Sequence, residues 1–169
     1  MTCAFTGHRQ IKAEHKKMLP DLLNRAISYA YDRGCRRFIA GGAVGFDTEA
    51  ARAVLRFRIR HPDVSLVLYL PCINQDEMWN DRQKDAYSFT LSVADEVVYV
   101  SDEYSRSCMK RRNQALADAC DIMIGYVGHG RSGSLQTLRL AKSAGKPCYN
   151  LYFELEKSSC IENTITKQP

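Results

Sequence analysis

Along the chain, short apolar runs alternate with longer segments in which apolar residues return every three or four positions. The runs read as strands and the periodic segments as helices. Residues 2–6 form a short apolar run stopped by Gly7. Residues 14–33 carry Met18, Leu22, Leu23, Ala26, Ile27, Ala30 and Tyr31 at helical spacing, with Pro20 in the first turn and Gly34 as the stop. Phe38-Ile39-Ala40 leads into the loop Gly41-Gly42-Ala43-Val44-Gly45 and a helix over 47–60, capped by Asp47 or Thr48 and ended by Pro62. Residues 65–70 are a continuous apolar strand ended by Pro71, followed by a helix around 79–92. A strand at 97–100, a helix at 107–119 and a strand at 121–127 come next. The loop Gly128-His129-Gly130-Arg131-Ser132-Gly133-Ser134 opens a helix with Leu135, Leu138, Ala141 and Ala144 on one face. Residues 148–152 are the last strand, and 156–169 show no period and read as a frayed tail.

Strict β/α alternation with strands that are apolar throughout predicts a doubly wound, Rossmann-like α/β fold. Its mainly parallel sheet has about six strands and helices on both faces. Residues 1–155 make one domain and 156–169 a tail. The length of 169 residues and the mix of 45% hydrophobic and 25% charged residues fit one domain with a buried core.

No apolar run approaches the roughly 20 residues that span a bilayer, which argues against a membrane protein. The first residues lack the basic and apolar regions of a signal peptide. Seven cysteines, scattered and without a C-x-x-C pair, read as reduced thiols of a cytoplasmic protein. Four histidines without metal-site spacing argue against a bound metal, and nothing calls for a cofactor. The net charge of +5 is dispersed along the chain, which argues against nucleic acid as a partner.

Ligands of doubly wound sheets bind beyond the carboxyl ends of the strands, at a topological switch point. The unusual residues of this chain fall there. Thr6, Gly7, His8 and Arg9 follow the first strand; Gly41, Gly42, Gly45 and Asp47 follow the second; Gly130, Arg131, Ser132, Gly133 and Ser134 follow the fifth. A glycine-rich turn that opens a helix offers free backbone N–H groups and the positive end of the helix dipole. Two such loops beside Arg9, Arg112 and Arg131 point to a phosphate site. Neither a Walker A sequence nor a G-x-G-x-x-G after the first strand is present.

The Thr6-Gly7-His8-Arg9 start, the run Phe38 to Asp47, Pro71 with Gln75 and Trp79, Arg112-Asn113 and the Gly133-Ser134 loop occur in this order. This pattern resembles the YpsA-like proteins of the SLOG superfamily over about residues 2–152. That superfamily also holds the Lonely-guy phosphoribohydrolases and the DNA-processing protein DprA. The resemblance implies a nucleotide or nucleotide derivative as ligand and a homodimer as assembly. It also implies that Met109-Lys110-Arg111-Arg112 is the Met-x-x-Arg motif of the hydrolases, with Arg112 as its arginine. The hydrolases end their second glycine loop in a catalytic glutamate. Gln136 or Thr137 stands there in this chain, and neither can carry the charge, which argues against hydrolysis.

Individual residues carry rival readings. Asp47 is either a helix cap or a ligand contact, and Glu49 is either a substitute carboxylate or a first-turn charge. His8 either meets phosphate or is held by a backbone carbonyl. Arg9 reads as an anion ligand. Arg112 is expected on the ligand rather than paired with Asp47, Asp102 or Glu103. Trp79 either stacks on a base or is buried against the sheet, and it is counted with the site. Cys72 reads as an inert buried thiol. Tyr104 and Arg106 read as a lid edge or as plain loop. The sequence thus predicts a nucleotide-binding sensor or regulator, with a phosphoribohydrolase and a single-stranded-DNA-binding module as rivals.

Overall fold

A computed structural model describes residues 1–105 and 107–165. Six parallel strands make one sheet: β1 Thr2–Gly7, β2 Arg37–Ala40, β3 Ser65–Leu70, β4 Glu96–Tyr99, β5 Ile122–Tyr126 and β6 Cys148–Asn150. Their spatial order is β4-β3-β2-β1-β5-β6. The winding therefore reverses between β1 and β5, whose ends pair Thr6 with Gly125 and Gly7 with Tyr126.

Alternation along each strand assigns the two faces. Cys3 and Phe5, Phe38 and Ala40, Leu66, Leu68 and Leu70, and Ile122 and Ile124 enter one core. Ala4, Ile39, Val67 and Met123, the residues between them, enter the other. The first core is covered by α1 Leu19–Asp32, α2 Phe46–Arg58, α3 Asp81–Val93 and α6 Leu151–Ile165. The second is covered by α4 Cys108–Ala119 and α5 Gly133–Ser143. Apolar residues on both faces explain the nearly unbroken hydrophobic strands. The edge strands β4 and β6 are the exceptions and are partly exposed.

The structure corrects several boundaries. The helix expected over 14–33 is split: a single 3-10 turn, Ala13–His15, precedes α1, which starts at Leu19 with Pro20 in its first turn. The last strand stops at Asn150, and Leu151 opens α6, which runs through the expected tail to Ile165. Leu151, Tyr152, Leu155 and Ser159 are its buried side. That helical period spans the seam between the presumed strand and the presumed tail, and a serine completes it, so the apolar signal is weak. Neither Asp47 nor Thr48 caps α2. Its N-cap is Gly45, which has no side chain, at φ 84°. The helix around 79–92 begins at Asp81 behind an Asn80–Gln83 capping box.

Candidate functional site: a cavity at the sheet's switch point

A cavity of about 300 Å³ opens beyond the carboxyl ends of β1 and β5, on the α4–α5 side of the sheet. Thr6, Gly7, His8 and Arg9 line it from the end of β1, and Ala43 and Asp47 line it from the β2–α2 junction. Met109, Arg112, Asn113 and Leu116 of α4 and Ser132, Gly133 and Ser134 at the start of α5 complete it. Nine of the fifteen residues predicted for the site are thus brought together.

The loop after β1 is fixed from both sides. His8 N–H donates to Tyr126 O at 3.1 Å, and His8 O accepts the first N–H of α2, from Phe46, at 3.1 Å. The His8 ring takes a role the sequence did not predict. Its Nε2 accepts the Gly128 N–H at 2.7 Å, rather than the ring donating to a carbonyl. An accepting Nε2 is an unprotonated one, and burial lowers the His8 pKa from its ordinary value. The ring is therefore held neutral, and it ties the two loops of the site together.

Arg112 is buried, 7% exposed, and its Nη1 donates to Gly41 O at 2.6 Å and approaches Asp47 Oδ2 at 3.5 Å. Asp47, 5% exposed, also accepts the Ala43 N–H at 3.3 Å. Burial pushes the Asp47 carboxyl up despite the guanidinium, and it lowers the Arg112 pKa despite the carboxylate. Arg112 thus pairs with Asp47, against the expectation of a purely ligand-directed side chain, while its buried Nε has no hydrogen-bond partner. The first glycine loop is therefore not an open cradle. A Cβ on Gly41 would overlap the Arg112 guanidinium, and a Cβ on Gly45 would overlap the Arg9 backbone. Gly42 packs beneath Leu70 and does not line the cavity, nor do Gly41 and Gly45.

The second loop keeps the expected form. Ser132 caps α5 by accepting the Leu135 N–H at 3.1 Å, and Ser134 Oγ donates to Gly7 O at 2.6 Å. Gly133 and Ser134, whose first-turn N–H groups precede the internal ladder of α5, line the cavity. Gly130 and Arg131 are exposed and stand outside that wall. Trp79 is half-buried against Tyr87, at 5.3 Å between rings, away from the cavity. The rings that do neighbour the site are those of His129 and Tyr152, in an adjoining cavity that shares His8 and Arg9.

Glu49 lines a different groove and pairs with Arg52 at 2.9 Å. Gln136 is exposed, and the Thr137 hydroxyl donates to Gly133 O at 2.9 Å. Asp47 is thus the sole carboxylate lining the cavity among the described residues. Cys72 is fully buried, Tyr104 is exposed, and Arg106 lies outside the described residues. Ala43, Met109, Asn113 and Leu116 line the cavity without having been predicted for it: Met109 and Asn113 stood out only as parts of the family pattern, and an alanine and a leucine in a cavity wall look like any core residue.

Residues 3–151 match the family model YpsA, described as the YspA SLOG family. The chain belongs to this SLOG family. It is 30% identical over 118 residues to the uncharacterized SPbeta prophage-derived protein YoqJ of Bacillus subtilis, covering 63% of this chain and 69% of YoqJ. It is 27% identical over 163 residues to a UPF0398 protein of Bacillus thuringiensis, covering 90% and 89%. Among solved structures, the DNA processing protein A (DprA) of Streptococcus pneumoniae shares the fold at a TM-score of 0.61 and 18% identity. The match covers 87% of this chain but only 48% of that protein. DprA of Helicobacter pylori matches at a TM-score of 0.62 and 19% identity, covering 94% and 73%. That structure addresses the single-stranded DNA binding mode of the Helicobacter protein. The expectation against nucleic acid as a partner is therefore corrected. The Helicobacter protein, which shares this fold, binds single-stranded DNA, and charge scattered along a sequence says little about where the fold gathers it. No helix among the described residues is long and apolar enough to cross a membrane.

Proposed function

We propose that this cavity binds the phosphate of a nucleotide or nucleotide derivative and holds it without cleaving it, as a sensor or regulator would. The observation that carries this is the convergence of the α5 N-terminus with Arg9 over a cavity whose one carboxylate is already engaged. Gly133 and Ser134 supply backbone N–H groups and the positive end of the α5 dipole. Asp47 and Arg112 offset each other, and His8 is neutral, so Arg9 is the uncompensated charge. An incoming phosphate would complete the charge balance. Cleavage of an N-glycosidic bond needs a carboxylate free to activate water or to face the ribosyl cation. Asp47, tied to Arg112 and Ala43, is poorly placed for either task.

A second reading, single-stranded DNA, is favoured by the likeness to Helicobacter DprA. Phosphates of a strand would meet the same anion-ready edge. Calorimetric titration with AMP, ADP-ribose and a short oligothymidylate, with chromatography of each mixture afterwards, separates these readings. Binding of a mononucleotide recovered unchanged, and lost in Arg9→Ala, is the expected result. Binding of the oligonucleotide alone, with a steep salt dependence, would replace the first reading by the second. Release of free base would replace it by hydrolysis.

A further inference from the structure

A second groove, of about 560 Å³, lies on the α2–α3 side of the same sheet edge. The N-terminus of α2 separates it from the first cavity: Ala43 and Asp47 face one, and Val44, Gly45 and Thr48 face the other. Arg9 lines both. Arg9, Lys16, Arg52 and Arg82 set four cations around this groove against one carboxylate, Glu49, which is engaged by Arg52. Arg9, Lys16 and Arg82 have no carboxylate within ion-pairing distance among the described residues. Surfaces ordinarily intersperse the two signs, and gathering uncompensated cations in a concavity is unfavourable until an anion enters.

We propose that this groove is a second anion subsite, so that the ligand carries two phosphates held on either side of Arg9. This rests on the reading of the first cavity as a phosphate site, and it narrows the ligand class to nucleotides with a second, separated phosphate. The wall between the subsites is closely packed, since the Arg9 backbone is seated on Gly45 and His8 O holds the first N–H of α2. Because the two cavities share the Arg9 side chain, one ligand with two separated phosphates could reach both.

The test compares AMP, the dinucleotide with a terminal phosphate pApA, and ApA, which has both nucleosides but one phosphate. Dissociation constants are measured by calorimetry on the full chain and on a Lys16→Ala/Arg82→Ala variant. Both replaced side chains are exposed and outside the first cavity, so the variant should fold and bind AMP as before. The wild-type protein should bind pApA about 10-fold more tightly than AMP or ApA, the scale of one added charge-assisted contact. The variant should lose that gain. Equal affinities for AMP and pApA, or a gain that persists in the variant, would overturn the second subsite while leaving the first. Failure of AMP and pApA alike to bind the wild-type protein would overturn both.

Discussion

At the scale of single residues, the site is organised by what holds Arg112 and His8. Arg112 fills the space that Gly41 leaves, so Gly41→Ala should expel the guanidinium and leave Asp47 buried without its partner. Breaking a buried pair on one side costs about 3 kcal/mol. We expect Gly41→Ala and Arg112→Ala each to lower the midpoint of thermal unfolding by roughly 6–12 °C, readable by calorimetry. A shift below 2 °C for both would show that the pair does not stabilise the fold. His8 makes a second prediction, in pH. Its folded pKa lies below the ordinary value of 6.5, so the unfolded chain takes up the proton first. Stability should then be full above that value and should fall as pH drops through 6.5 toward the lower folded pKa. Protonation would also remove the acceptor of the Gly128 N–H. His8→Gln, whose amide oxygen can still accept, should flatten this dependence in denaturant titrations between about pH 7 and 5. A slope unchanged in the variant would assign it to another group.

At the scale of elements, the strands and most helices were legible because their periods are clean. Strands apolar throughout predicted a sheet covered on both faces, and the three-to-four spacing of Leu22, Leu23, Ala26, Ile27 and Ala30 marked α1, though not its start. The edge beyond β1 and β5 was legible too, since glycine, serine and arginine after a strand follow from loop chemistry. What stayed hidden depends on tertiary partners. Nothing local shows that Gly41 accommodates a side chain from α4, seventy-one positions on, or that Asp47 faces that side chain instead of capping its helix. The last element was hidden for another reason: the buried side of α6 begins within what looked like a strand. Its docking is a matter of packing, and it leads to a further prediction. Leu155 is 1% exposed in the first core, and Leu155→Ala should cost about 2–5 kcal/mol by urea titration. A frayed tail would show almost none.

At the scale of the whole molecule, ligand binding and folding should be coupled, because the site exists only where four separate stretches of chain meet. The β1 loop, the β2–α2 junction, α4 and the α5 N-terminus each contribute side chains, so an unfolded chain offers no equivalent site. A ligand that binds the folded state alone, at 100 times its dissociation constant, stabilises by about 2.7 kcal/mol, or roughly 5–10 °C for a chain of this size. Arg9→Ala provides the control that ties this shift to the cavity. Arg9 is exposed and makes no ion pair among the described residues, so its loss should leave the ligand-free midpoint within about 2 °C. It should also remove most of the nucleotide-induced rise. The charged pair Arg112–Asp47 cannot serve this purpose, since altering either partner changes the fold and the site together. A variant that keeps its ligand-free midpoint and loses its response separates the two. A response retained in Arg9→Ala would place the anion on the α5 N-terminus alone, and it would remove the bridge on which the two-phosphate ligand depends.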